Sequence, residues 1–240
     1  MKQSEYEIFQ IKFQFPYPTV TNELGYKGIL PVLELLNSVG FPPAVRVAFK
    51  GKNSSRMRKM QVHGYLDPKL TAILEPVDKT NSEIEIFDAL KYSDGSHGSR
   101  VDIHQGKYRH SLTILIPIEL LTQLTIYGVQ SLFHKLVQLF PNAYAGECSF
   151  LWYRSYFSVT RRSCFVPYLV WRQYLSAKEL EIQGGKAAFE SNNLLKTERI
   201  HDGLLIEVGE SPYDIFTDEG EALLAKATES LPPVVESAKK

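Results

Sequence analysis

Hydrophobic and polar residues alternate with a period of two near the start of the chain. Phe9, Ile11, Phe13 and Phe15 are separated by glutamine and lysine, which predicts a half-buried β-strand. Further short apolar or alternating segments predict strands at residues 45–49, 82–90, 100–104, 108–116, 146–153, 194–200 and 203–208. The run Gln105-Gly106-Lys107 predicts a hairpin between two of these strands.

A spacing of three to four between apolar residues predicts the helices. The longest helix is expected at 118–140, where six leucines recur at this spacing and Pro117 suits the first turn. A second helix is expected within 22–39, and another within 165–180, a segment that holds Trp171 and Tyr174. A last helix is predicted to open at Thr217 and to end before the two prolines at 232–233.

The order of these elements predicts an α+β protein in which helices pack against a mostly antiparallel sheet. In each half of the chain a helix is followed by antiparallel strands. We therefore hypothesise that the two halves have similar folds. We expect an N-terminal half at 1–116 and a C-terminal half at 117–240, which could still form one compact domain.

The C-terminal region contains a segregated acidic stretch. Every ionisable side chain from position 202 to 221, other than that of Tyr213, is a carboxylate. These residues are Asp202, Glu207, Glu210, Asp214, Asp218, Glu219 and Glu221. The Asp-Gly sequence at 202–203 is typical of a tight turn, and Asp218 and Glu219 suit the first turn of a helix. The others fit a solvated face, a surface that complements a basic cleft, or a calcium site of no standard spacing.

Composition restricts the remaining choices. The formal net charge of +0 excludes a strongly basic nucleic-acid-binding protein on composition alone, and 44% apolar residues argue against disorder. Cys148 and Cys164 are expected to be buried free thiols, and no apolar signal segment precedes the first strand. We therefore expect a cytoplasmic protein with no membrane-spanning segment.

Two other segments are candidates for chemistry. Asp102 and His104 share one strand face with Arg100, and with His110 they could form a metal site or a general-base site of a small hydrolytic enzyme. The segment 46–59 holds several cations before any carboxylate and could bind phosphates as part of a nucleic-acid-binding module, although a solvated loop is the preferred interpretation. Its cations are Arg46, Lys50, Lys52, Arg56, Arg58 and Lys59.

The C-terminal sequence resembles a known family. The features are Trp-x-x-Tyr-Leu at 171–175, the run ERIHDGLLI at 198–206, the acidic segment 210–219 and a terminal amphipathic helix ending in Leu-Pro-Pro. This pattern is similar to type VI secretion immunity proteins, in particular the group that is partnered with restriction-endonuclease-like nuclease toxins.

The resemblance implies a binding protein and no enzyme activity or cofactor. The partner would be a cognate toxin or effector, and neither a membrane nor direct contact with nucleic acid is expected. The predicted partner-binding residues are Asp202, Glu207, Glu210, Tyr213, Asp214, Phe216, Asp218 and Glu219. Tyr213 and Phe216 would be the aromatic anchors of that interface.

Overall fold

The predicted α+β class is confirmed. A computed structural model describes residues 8–15, 26–51, 56–74, 81–88, 98–105, 110–150 and 169–232. Across these ranges lie ten β-strands and six α-helices, and every strand pair of described register is antiparallel.

The strands are numbered in chain order. They are β1 (Ile8–Phe15), β2 (Ala44–Gly51), β3 (Arg58–Gln61), β4 (Asn81–Asp88), β5 (Arg100–Gln105), β6 (His110–Pro117), β7 (Ala145–Phe150), β8 (Arg172–Leu175), β9 (Lys196–Ile200) and β10 (Gly203–Glu207). The helices are α1 (Tyr26–Ser38), α2 (Pro68–Leu74), α3 (Ile118–Leu139), α4 (Ala177–Ile182), α5 (Lys186–Glu190) and α6 (Asp218–Glu229).

The chain divides into two compact units. The N-terminal unit is Lys12–Asn142, and the C-terminal unit combines Met1–Ile11 with Ala143–Lys240. This division differs from the expected boundary at 116 and 117, because α3 packs on the N-terminal strand residues. Phe133 of α3 lies 5.5 Å from Phe13, ring centre to ring centre, and Phe140 lies 5.1 Å from Phe15. The predicted similarity of two halves stays a prediction.

In the N-terminal unit, five strands follow the order β3-β2-β4-β5-β6. The apolar side chains of β4, β5 and β6 alternate onto one buried face, and Ile84, Val101 and Ile114 each have at most 1% exposure. Burying a side chain of this size stabilises the fold by about 1.5–3 kcal/mol. The predicted antiparallel pairing of β5 with β6 is confirmed.

Strand β1 is more deeply buried than its sequence pattern predicts. The four aromatic and aliphatic residues of the alternation are fully buried, but Gln10 and Gln14 are buried as well. Gln10 Nε2 donates to Ser149 Oγ at 3.5 Å and lies 3.4 Å from Glu147 Oε1. The expected half-buried strand is therefore wrong, because these polar side chains find partners inside the protein.

The long helix α3 is confirmed and contains a break. Thr125 has φ 60° and ψ 159°, a backbone conformation that residues other than glycine rarely adopt. Its hydroxyl oxygen accepts a hydrogen bond from the Gly128 amide at 3.2 Å. Thr125 thus caps the second part of α3. Position 125 is neither proline nor glycine, so the sequence does not predict a kink there.

In the C-terminal unit, four strands follow the order β7-β8-β10-β9. The helix expected within 165–180 is confirmed only after residue 176, as α4. Tyr174 belongs to strand β8, and Trp171 immediately precedes that strand. Cys148 is a buried free thiol, as expected.

Some expectations lie outside the described residues. They are the loop residues 106–109, Cys164 and Lys52. No helix of the described residues is both long enough and apolar enough to cross a membrane.

Candidate functional site

The predicted hairpin at the start of the acidic stretch is confirmed. Strands β9 and β10 pair antiparallel, and His201 and Asp202 form the two-residue turn, with His201 at φ 53°. A Cβ at Gly203 would overlap the Leu175 carbonyl oxygen and the Tyr174 ring, so only glycine allows this approach.

Asp202 is exposed at this turn, and its carboxylate accepts a long hydrogen bond of 3.4 Å from the Tyr174 hydroxyl. Burial, and next the negative charge of Asp202, raise the pKa of Tyr174 to about 12. The tyrosine therefore stays a neutral donor to Asp202 at physiological pH, and Asp202 helps to hold the turn.

Glu207 joins three strands of the C-terminal unit. On β10 it lies opposite Arg172 of β8 and Lys196 of β9. Its carboxylate forms an ion pair with Arg172 Nε at 2.8 Å and lies 3.8 Å from Lys196 Nζ. A charge removed from water needs such partners, so Glu207 has a structural role in the sheet.

Arg172 and Lys196 are partners of the acidic stretch that the sequence interpretation missed. Because a helix was expected within 165–180, the sequence did not suggest that Arg172 lies in the sheet. A prediction of a strand at 172–175 would have placed Arg172 in the sheet. Its pairing with Glu207 would still not follow, because it depends on the register between β8 and β10.

The loop between β10 and α6 is organised by Asp214. One carboxylate oxygen, Oδ2, accepts hydrogen bonds from the amides of Glu210 at 2.8 Å and Ser211 at 2.9 Å. The Asp214 carbonyl oxygen accepts from the Thr217 hydroxyl at 2.8 Å. A Cβ at Gly220 would overlap this same carbonyl, so the start of α6 packs directly on Asp214.

Tyr213 and Phe216 attach the loop to the core of the unit. Their ring centres lie 5.5 and 5.0 Å from that of Phe150, and Phe150 in turn lies 5.2 Å from Phe9. Both rings are half-buried. They therefore hold the loop in place and present only part of their surface.

Helix α6 opens as expected. The Thr217 hydroxyl accepts a hydrogen bond from the Gly220 amide at 3.0 Å, which satisfies one of the free amides of the first turn. Asp218, Glu219 and Glu221 lie in this turn and are exposed. No ion pair involves these three carboxylates in the part of the chain that the structure describes.

Four exposed carboxylates therefore flank Asp214, and together they form what we call the acidic surface: Glu210, Asp218, Glu219 and Glu221. Glu210 is 87% exposed and lies 3.1 Å from Lys196 Nζ, a solvent-screened contact. Of the other predicted partner-binding residues, Glu207 lies in the sheet, Asp202 lies at the opposite end of β10, and the side chain of Asp214 is directed into the loop.

The alternative site at Asp102, His104 and His110 is not assembled. Register places Asp102 opposite Thr113 and His104 opposite Ser111, on the polar face of the sheet. His110 lies opposite Gln105 and alternates with Ser111, so it belongs to the buried face with Leu112. Among the described residues, no group of three His, Cys, Asp or Glu side chains could hold a metal ion.

The described residues of the basic segment, 46–51 and 56–59, do not form a continuous phosphate-binding patch. The expected solvated loop includes strand β3, which pairs with β2 and whose four residues are exposed. Arg58 and Lys59 are consecutive residues of this strand, so they lie on opposite faces. Lys50 lies opposite Glu83 of β4, which reduces the positive potential.

Comparison with known proteins gives no family for this chain: no family model, no curated protein and no solved structure matches it.

Proposed function

We propose that this protein is an immunity protein that binds a cognate secreted bacterial toxin in a stoichiometric complex and blocks its active site or its assembly. The observation that carries the proposal is the acidic surface, which is exposed and held on a preformed loop. Four carboxylates flank a loop that internal hydrogen bonds and aromatic packing fix in one arrangement.

Charge favours a partner with a basic binding cleft. A nuclease must hold phosphates, so its cleft carries lysine and arginine side chains. Carboxylates on an inhibitor complement that cleft, steer the encounter and increase the association rate at low salt. The acidic surface has the sign that this partner requires.

The internal bonds of the loop reduce the entropic cost of binding. Ordering a mobile loop at an interface costs about 0.5–1.5 kcal/mol for each immobilised side chain. Here the Asp214 carboxylate and the rings of Tyr213 and Phe216 order the loop before any partner arrives. This preorganisation is what an inhibitory surface needs.

The first experiment is co-expression of the tagged protein with the product of the adjacent open reading frame. The proposal expects a stable one-to-one complex and rescue of cells from a toxic neighbour. A toxic neighbour that is neither bound nor neutralised would refute it.

The surface itself is tested by a triple variant, Glu210→Gln, Asp218→Asn and Glu219→Gln. We expect the association rate with the toxin to fall about 10-fold at low salt and to lose most of its salt dependence. The matched control removes three exposed carboxylates elsewhere, by Glu34→Gln, Glu181→Gln and Glu229→Gln. If both triple variants lose association equally, the acidic surface is not the interface.

A further inference from the structure

Strand β9 forms the edge of the sheet in the C-terminal unit. It pairs with β10 on one side, and no other strand of the described residues pairs with its second side. Lys196, Glu198 and Arg199 of this strand are exposed, and Thr197 is half-buried. An edge of this kind offers backbone amides and carbonyls to a further strand.

The register of the hairpin shows which backbone groups lie at this edge. Strands β9 and β10 are joined by a two-residue turn, with Ile200 and Gly203 opposite each other directly before and after it. Residues that flank such a turn exchange backbone hydrogen bonds, and bonded and non-bonded pairs then alternate along the ladder. Every second residue of β9, counted from Ile200, therefore bonds to β10. The amides and carbonyls of Thr197 and Arg199 point the other way, to the open edge.

A second copy of the chain fits this edge in one register. Two identical strands related by a two-fold axis pair antiparallel, and the residue on the axis lies opposite itself. Because residues that point outwards must meet each other, the axis passes through a residue and not between two. An axis at Lys196, Glu198 or Arg199 would place like charges directly opposite each other, which destabilises a sheet. An axis at Ile200, next to the turn, would leave half of the strand without a partner.

An axis at Thr197 has neither fault. It places the two threonines opposite each other, and Lys196 of each copy lies opposite Glu198 of the other. Threonine pairs and pairs of opposite charge at such positions stabilise a sheet. The edge is therefore self-complementary in this register.

We propose that the chain self-associates through β9, so that two copies form one continuous sheet with Thr197 on the two-fold axis. Backbone hydrogen bonds hold the two strands together, between the two Thr197 residues and from the Arg199 amide to the Leu195 carbonyl of the other copy. The contact is short and buries less surface than a stable dimer needs, so the association is weak and depends on concentration.

The charges around the edge select the register and add little to the affinity. Within its own copy the Lys196 ammonium bonds to Glu210 at 3.1 Å and lies 3.8 Å from Glu207. Glu198 of the second copy adds a third carboxylate to a cation whose side chain is 65% exposed, so each contact is screened by solvent. The Arg199 guanidinium lies on the opposite face of β9, where it bonds to Glu190 of α5 at 2.7 Å.

The edge strand of the N-terminal unit, β3, provides a control within the same chain. Its four residues are exposed and include Arg58 and Lys59 but no carboxylate, so no register of two copies forms an ion pair there. The Val62 amide donates to the Val45 carbonyl of the neighbouring segment at 2.9 Å, so the Gln61 amide points away from β2. Gln61 thus corresponds to Thr197 on an edge that we do not expect to pair.

The decisive measurement is amide hydrogen exchange of the full chain at low and at high protein concentration. We expect the Thr197 amide to exchange at least about 10-fold more slowly at the concentration at which sedimentation shows a dimer, whereas the Gln61 amide keeps its rate. A mass of one chain at every concentration up to about 1 mM would overturn the proposal. A dimer in which Thr197 exchanges as fast as in the monomer would overturn it as well.

Two variants test the hydrogen bonds and the register separately. Thr197→Pro removes an outward amide and leaves the bonds to β10 in place, so the dimer should be lost, whereas the control Gln61→Pro should still dimerise. Glu198→Lys places like charges opposite each other and should weaken dimerisation about 10-fold at low salt, and less at high salt.

Each variant has an outcome that contradicts the proposal. Undiminished dimerisation of Glu198→Lys would show that the register is wrong. If the wild-type chain stays monomeric and Thr197→Pro loses capture of the toxin, the edge accepts a strand of the toxin and not a second copy. If Thr197→Pro fails to fold, exchange at Thr197 in the wild-type chain and dimerisation of Glu198→Lys decide the question.

Discussion

Arg172 and Glu207 form a nearly buried ion pair across strands β8 and β10, with 2.8 Å between Nε and Oε2. Their side chains are only 12% and 14% exposed. The acidic stretch therefore contains two kinds of carboxylate. Glu207 is paired inside the sheet and stabilises the fold, whereas others, such as Glu210, face solvent. If Glu207 were substituted in a binding experiment, a loss of affinity could not be distinguished from a loss of stability.

The first prediction compares a buried with an exposed carboxylate. Glu207→Ala leaves the Arg172 guanidinium buried with a weaker set of partners, and we expect a loss of about 3 kcal/mol in unfolding free energy. Glu210→Ala, the control, should leave stability unchanged within error, because Glu210 is 87% exposed. Urea unfolding measures both, and equal effects would show that the ion pair is not structural.

The second prediction concerns the loop that carries the acidic surface. Asp214→Ala removes the acceptor of the Glu210 and Ser211 amides. Hydrogen exchange at these two amides should accelerate roughly 10-fold, the equivalent of one hydrogen bond to a charged group.

The control for Asp214→Ala lies within the same protein sample. Amides in the β9–β10 ladder, such as that of Leu205, should keep their exchange rates. If exchange accelerates throughout the C-terminal unit, Asp214 supports global stability and not the loop alone. If neither amide changes, the carboxylate does not order the loop.

The third prediction reverses a general rule about glycine in helices. Alanine usually stabilises a helix interior by about 0.5–1 kcal/mol relative to glycine. At Gly220 the added Cβ would collide with the Asp214 carbonyl oxygen, so Gly220→Ala should destabilise by about 1–3 kcal/mol.

Gly128→Ala is the matched control for this reversal. Its added Cβ would meet the Thr125 hydroxyl oxygen at 3.6 Å, which is ordinary contact, so this variant should be stabilising. Thermal unfolding of the two variants reports the signs. A stabilising Gly220→Ala would mean that α6 does not pack on Asp214.

The fourth prediction is a pH dependence of the stability that Asp67 contributes. Asp67 accepts hydrogen bonds from the amides of Lys69 at 2.8 Å and His63 at 2.6 Å, at the start of α2. These bonds, that from Lys69 first, hold the pKa of Asp67 below its usual value of 3.8.

The folded state therefore favours ionised Asp67. Its contribution is present above the unfolded value of 3.8 and is lost as the pH falls through the lower folded value. The stability difference between wild type and Asp67→Asn should be constant from pH 5 to pH 7 and shrink below pH 4. A difference that is unchanged in acid would contradict this role of Asp67.

Sequence patterns predicted the elements whose signals are local. The leucine spacing of α3 and the capping hydroxyl of Thr217 both depend on neighbours within a few positions. Strand β3 was missed because all four of its residues are exposed, so no alternation marks it. The apolar sequence around Arg172 suits a helix or a strand equally, and residues 172–175 form strand β8, with the expected helix starting only after it.

The arrangement of the acidic surface could not be predicted to the same extent. The sequence identified the carboxylates, but the structural roles of Glu207 and Asp214 depend on strand register and on loop conformation. Residues 172, 196 and 207 meet only because β8, β10 and β9 pair in one register. Such long-range matches leave no signature in a single sequence.

Strand β1 has a consequence for the order in which the chain can fold. Its first residues belong to the C-terminal unit, where Gln10 bonds to a partner 139 positions later in the sequence. On a ribosome these residues emerge before the N-terminal unit and before strand β7, so they must wait until both have been synthesised. The C-terminal unit is therefore the one whose closure comes last, and cutting the chain after residue 142 would give a C-terminal fragment that lacks Phe9.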